Sequence, residues 1–186
     1  QFGARLALSP VVPEIIDQFH TTKATVGILL SGVWVAFALA QYPSGVVADR
    51  YGERTVMLAA LAGTALPSLG LAVAPSFPWF VASAIALGVG AGLYFSVATS
   101  LLSGLFDRRN TALGIHTAGV PLAGLAIPGI VTAVALRSHW QDAFFATAGL
   151  AGLVFVVVAV GIEPTRANDP TRSLRDAFRV ETIRRL

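Results

Sequence analysis

The chain has 186 residues, of which 55% are hydrophobic and only 12% charged. Soluble domains carry about 25% charged residues, so this composition belongs in lipid. Cysteine is absent, which excludes disulfides and cysteine-based metal sites, and the net charge of +3 rests on arginines gathered at the ends of apolar runs, not in a nucleic-acid-binding patch.

The ten acidic residues all lie at the ends of apolar runs or outside them, as they should where charge is excluded from hydrocarbon. Residues 1–16 are apolar but interrupted by Arg5, Pro10, Pro13 and Glu14. They are too short to cross a bilayer, which takes about 20 residues. They read as the second half of a first span that leaves the membrane near Pro13, with more chain expected before residue 1. Residues 17–25 form a polar link, and Thr25 is the expected cap of the next helix.

The second span is expected over 26–47, with Pro43 bending its last turn. A polar loop follows, and residues 55–74 form the third span. Pro75 to Pro78 read as a tight turn. The fourth span covers 79–105, opening on Trp79 and carrying Gly88, Gly90 and Gly92, which allow another helix to approach closely. Residues 107–110 are a charged loop. The fifth span, 111–136, carries Gly114, Gly119, Pro121, Gly124, Pro128 and Gly129, a composition suited to bending. The sixth span covers 143–162. Residues 163–186 are polar and arginine-rich, with a short helix expected to start near Ser173. The fold class is therefore all-α: six transmembrane helices, the first truncated, over 1–162, and a linker over 163–186.

The loop after the second span orders Gly45, Asp49, Arg50, Gly52 and Arg54 as Gly-x-x-x-Asp-Arg-x-Gly-x-Arg. Glycines at both ends favour a sharp turn. The pattern, set between two apolar spans, resembles the signature loop of the major facilitator superfamily (MFS) of transporters. Residues 140–144, Trp-Gln-Asp-Ala-Phe, resemble the entry to that family's sixth span. The resemblance implies twelve spans in two halves, with a solute site between them. This chain then corresponds to the N-terminal half, and its partners are a small-molecule solute, the lipid bilayer and a C-terminal six-helix half. No cofactor and no nucleic acid is implied. In the family, the Asp matching Asp49 pairs with arginines and a helix end of the other half to close the cytoplasmic side. The resemblance thus makes Asp49, Arg50, Arg54 and Asp107 candidates for a gate. Two family motifs fit poorly. Ala84 stands where many proton-coupled members carry Arg, and the glycines and prolines of the fifth span do not follow the drug-antiporter order.

Orientation follows from the arginines. Loops 48–54, 107–110 and 163–186 hold Arg50, Arg54, Arg108, Arg109, Arg166, Arg172, Arg175, Arg179, Arg184 and Arg185, whereas the opposite loops hold Lys23 and Arg137. That asymmetry places the first set in the cytoplasm of a multi-pass cell-membrane protein. Arg5 belongs to neither side. It lies eight residues before Pro13, so about 12 Å below the expected outer surface and near the middle of a core about 30 Å thick. A charge there ordinarily faces a cavity as a functional group. Arginine matches carboxylates and oxyanions by paired hydrogen bonds, which makes Arg5 the candidate for binding an anionic solute. The alternatives are snorkelling to an interface or a structural pair with another half. Gln41 and Tyr94 are further lining candidates, and His116 is a candidate proton relay or an interfacial hydrogen-bonding residue.

The expected function is secondary transport by alternating access. A drug-exporting member, or a non-transporting sensor or scaffold on the same fold, are the alternatives. An enzyme is not indicated, because no paired intramembrane carboxylates, HExxH or Ser-His-Asp cluster is present.

Overall fold

A computed structural model describes residues 2–105 and 108–161. Among the described residues, seven helices follow in order: α1 (Phe2–Leu6), α2 (Val12–Phe19), α3 (Lys23–Tyr51), α4 (Glu53–Ala72), α5 (Phe77–Leu105), α6 (Arg109–Arg137) and α7 (Gln141–Gly161). Five of them, α3 to α7, are long and apolar enough to cross a membrane. Large aliphatic side chains stand exposed along them, among them Leu39, Leu66, Leu125, Leu136 and Val160. In water such a surface would drive association, whereas lipid satisfies it.

The expected spans reappear as helices that overrun the apolar runs. The loop expected over 48–54 is the clearest correction. α3 continues through Asp49 and Arg50 to Tyr51, α4 begins at Glu53, and the turn between them is Gly52 alone. Gly52 adopts φ 85°, a region where a side chain would be strained. Gly45, expected to help the turn, lies inside α3. The change from apolar to charged residues marks the edge of the hydrocarbon, not the end of the helix.

The polar link also shrinks. α2 carries the chain helically to Phe19, and Pro13 starts that helix instead of ending one, since proline fits the first helical turn. The cap of α3 is Thr22, not Thr25: the Thr25 amide donates to Thr22 Oγ1 at 3.2 Å. Thr22 has the extended backbone a cap requires, φ −115° and ψ 158°. The stretch expected to be the second half of a first span consists of two short helices. α1 ends after Leu6, and turn hydrogen bonds such as Leu8 N–H to the Arg5 carbonyl, 3.3 Å, carry the chain to α2.

Packing is uneven. α5 lies between α3 and α4, and α4 also packs along α7. α5 approaches its neighbours at glycines. A Cβ at Gly88 or Gly92 would strike the carbonyls of Val33 or Phe37 on α3, and one at Gly90 would fall on the Gly63 carbonyl of α4. Buried Ser44 secures the α3–α5 seam by donating to the Leu93 carbonyl at 2.6 Å. α6 leans on α1, α5 and α7 with far less contact, and its glycines meet open space. Two apolar clusters fill the body. One, around Phe80, Leu87, Trp140 and Phe144, lies toward the α4–α5 turn; the other, around Val56, Met57, Val97 and Leu101, lies toward Gly52. The charge-bearing site lies at a depth between these clusters.

Candidate functional site

Arg5 stands in the last turn of α1, immediately before the chain leaves helical geometry. That position places its charge at the negative end of the helix dipole. The side chain is buried, 5% exposed. Its guanidinium carbon lies 3.7 Å from the ring centre of Phe37 and 4.4 Å from that of Trp34. The two rings meet edge to face, with centres 5.9 Å apart and an interplanar angle of 84°. They come from one helix three residues apart, the spacing that puts side chains on the same face. Phe37 is the middle residue of the 29 in α3, so the cation is held at the depth of that helix's centre.

Arg5 and Phe37 line a cavity of about 260 Å³ with Tyr94 and Phe95 of α5 and His116 and Thr117 of α6. The rings of Tyr94 and His116 are 6.0 Å apart. Of the sequence candidates, Arg5, Tyr94 and His116 thus come together. Gln41 does not line this cavity; its carbonyl accepts a hydrogen bond from Ser96 at 3.2 Å. A second cavity, about 470 Å³, adjoins the first through Gly3 and Tyr94 and is walled by aliphatic residues with Thr64 and Thr147. A third, about 460 Å³, lies where α5 ends and α6 begins, lined by Leu102, Arg108, Thr111 and His116 among others. Trp34 and Phe37 escaped the sequence reading as Arg5 partners because about thirty residues separate them from it. The signal that could have found them is their i, i+3 spacing on a helix at the same depth.

The motif residues lie at the Gly52 end. Asp49 and Arg50 are exposed in the last turn of α3, and the Arg50 guanidinium carbon lies 5.4 Å from the Tyr51 ring centre. The dipole of α3 favours Arg50 there and disfavours Asp49, the reverse of what an Asp at a helix start would experience. Glu53 takes the favoured place at the start of α4 and accepts a hydrogen bond from Ser100 of α5. Arg54 reaches across the bundle and donates from Nη2 to the Ala159 carbonyl at 2.6 Å. It therefore caps the last turn of α7, where free carbonyls and negative dipole favour a cation. Ser100 and Ala159 carry no sequence signal for these roles. Asp107 and the residues from 162 onward lie outside the described residues.

The chain matches the family model described as Major Facilitator Superfamily over residues 1–184. It is 27% identical over 168 residues to the uncharacterized MFS-type transporter YceJ of Bacillus subtilis, covering 88% of this chain and 42% of that protein. It is 26% identical over 156 residues to the hexuronate transporter of the same organism, covering 83% of this chain and 37% of the relative. The multidrug resistance protein MdtL of Escherichia coli is 26% identical over 164 residues, with 87% and 42% covered. Among solved structures, a mutant of the peptide transporter POT in complex with sulfate superimposes with a TM-score of 0.72 at 15% identity, covering 97% of this chain and 42% of that one. The chain spans about two fifths of the length of these curated relatives.

Proposed function

Because the chain belongs to the Major Facilitator Superfamily, we propose that it is the N-terminal part of a secondary transporter that moves a small organic anion by alternating access, with Arg5 holding the anion's carboxylate. The observation that carries this reading is the buried guanidinium at mid-depth, beside the rings of Trp34 and Phe37, in a cavity with no acidic side chain among its described lining residues. The N–H fork of an arginine matches a carboxylate. The hexuronate transporter among the relatives handles a sugar acid by its name, which supports a carboxylated solute.

The gate belongs to the same proposal. Asp49 and Arg50 project from the cytoplasmic end, with Gly45, Gly52 and Asp107 as the other motif positions, to meet a second half. Arg54 and Glu53 instead brace α4 against α7 and α5. A charge pair exposed there contributes at most about 1 kcal/mol, but one buried between halves becomes switch-like, because losing a partner strands the other charge.

The test is uptake of labelled glucuronate by the full-length protein in proteoliposomes. Arg5→Ala and Arg5→Lys are expected to lose at least about tenfold in affinity, the size of a buried hydrogen bond to a charged group. Wild-type affinity in both would refute the anion role. A second reading, export of apolar drugs, draws on the 470 Å³ aliphatic cavity and on MdtL. It expects extrusion of an apolar dye that survives Arg5→Ala. A sensor or scaffold on this fold expects no concentrative uptake of either probe.

A further inference from the structure

The 470 Å³ cavity beside the anion site is nearly bare of polar groups. Ala4 of α1, Leu61 of α4, Ile127 of α6 and Leu150 of α7 all line it, and none of its described lining residues carries a charge. Its hydroxyls belong to Thr64, Thr147 and Tyr94. Thr64 Oγ1 donates to the Ala60 carbonyl at 3.1 Å, and Thr147 Oγ1 to the Ala143 carbonyl at 2.8 Å, each within its own helix. A hydroxyl has one proton to give, so both threonines are engaged as donors before any solute arrives. The volume falls in the range of small-molecule sites, roughly 300–1,000 Å³, whose walls are mostly apolar.

This chamber borders the cavity that holds Arg5. Gly3 and Tyr94 belong to both linings. Gly3 stands two residues before Arg5 on α1, and a Cβ there would lie 3.0 Å from Ile127 Cγ1 on α6. A glycine at that point leaves open the seam where the two cavities meet. Elsewhere the chamber reaches the surface, since two of its lining residues, Ile130 of α6 and Leu150 of α7, are exposed. A molecule whose head meets Arg5 thus has a hydrocarbon-lined space beside it for its body.

We propose that the solute is an amphiphilic carboxylate, an acid whose hydrocarbon body lies in the 470 Å³ chamber while its carboxylate meets Arg5; the proposal rests on the anion reading above and names its substrate class. Each methylene moved from water into such a chamber strengthens binding by about fourfold at most. A hydroxylated body does the opposite. Each hydroxyl buried there without a partner weakens binding at least about fivefold, because its bonds to water are not replaced. A sugar acid carries several hydroxyls. Its carboxylate suits Arg5 and its body does not suit the chamber, which makes it a weak ligand of the same site. A neutral apolar molecule fits the chamber and leaves Arg5 unused.

The experiment uses the full-length protein in lipid nanodiscs with labelled octanoate as probe, displaced by unlabelled butanoate, hexanoate, octanoate, glucuronate and octanamide. Displacement is expected to tighten roughly tenfold for each two methylenes added, and octanoate to displace at least tenfold better than glucuronate. Octanamide, equal in length and uncharged, is expected to be at least tenfold weaker than octanoate. Ala146→Leu and Ile130→Phe add bulk to the chamber from α7 and α6, and are expected to reduce the octanoate-to-butanoate ratio at least fivefold. The wild-type series needs no variant to fold. A series flat in chain length, which a lipid chain already filling the chamber would give, overturns the proposal, as does an unchanged ratio in both variants. Absence of displaceable octanoate binding where Arg5-dependent glucuronate uptake persists overturns this proposal alone. Octanamide equal to octanoate overturns the anion reading, and the amphiphilic carboxylate with it.

Discussion

Gly90→Ala tests the packing that holds the site. The Cβ it adds falls on the carbonyl of Gly63, which is backbone and cannot swing aside as a flexible side chain would. α4 and α5 must separate locally, and overpacking of this kind costs about 1–3 kcal/mol, with a backbone obstacle at the upper end. Replacing glycine by alanine inside a helix returns roughly 0.5–1 kcal/mol. The net expectation is a loss of about 2 kcal/mol. For chains of this size each kcal/mol shifts the melting temperature by roughly 2–4 °C, so the midpoint should fall by about 4–8 °C. Gly149→Ala is the control. It sits in α7, exposed, where an added Cβ meets nothing within 4 Å, so only the propensity gain remains. Fluorescence-detected unfolding of the full-length protein in detergent reads both variants under one condition. A Gly90→Ala midpoint equal to or above that of Gly149→Ala would refute the close approach of α4 and α5.

Phe37→Leu removes the ring 3.7 Å from the Arg5 guanidinium carbon, a desolvated cation–π contact of about 1–2 kcal/mol. Glucuronate affinity should fall about fivefold to thirtyfold by equilibrium binding, and Phe37→Tyr should restore it to within twofold. Arg54→Gln removes the charge-assisted bond to the Ala159 carbonyl. Discounted for partial exposure, that is about 1–2 kcal/mol, and the melting temperature should drop by roughly 2–8 °C, with Arg54→Lys in between. Asp49→Asn removes a carboxylate from the unfavourable end of α3, so stability should hold or rise by a few tenths of a kcal/mol. Uptake should nevertheless fall several-fold if Asp49 serves the gate, and unimpaired uptake would sink that role.

Sequence periodicity carried the long helices because an apolar run of twenty or more residues has few other uses. It misplaced their ends. The expected span stops at Val47, but nothing in Ala48, Asp49 or Arg50 breaks a helix, and the first residue suited to a reversal is Gly52. The same confusion of membrane edge with helix end assigned the cap to Thr25, when Thr22 bears the extended backbone. In the site, chemical type was legible and geometry was not. Arg5 stood out because charge is costly at mid-depth, wherever its neighbours lie. Its ring partners depended on the rotation of α3, which a helix apolar on all sides does not reveal. Gln41, one turn beyond Phe37, is absent from the cavity's lining.

The proposed anion site depends on how Arg5 is supported. A cation at the centre of a spanning helix costs about 2.5–3.5 kcal/mol on insertion scales. Two ring contacts return roughly 0.5–2 kcal/mol each, with half-exposed Trp34 at the low end. The end of α1 adds up to about 1 kcal/mol. These terms offset the cost to within about 1 kcal/mol. In the proposed anion reading, the solute's charge meets the edge of the guanidinium.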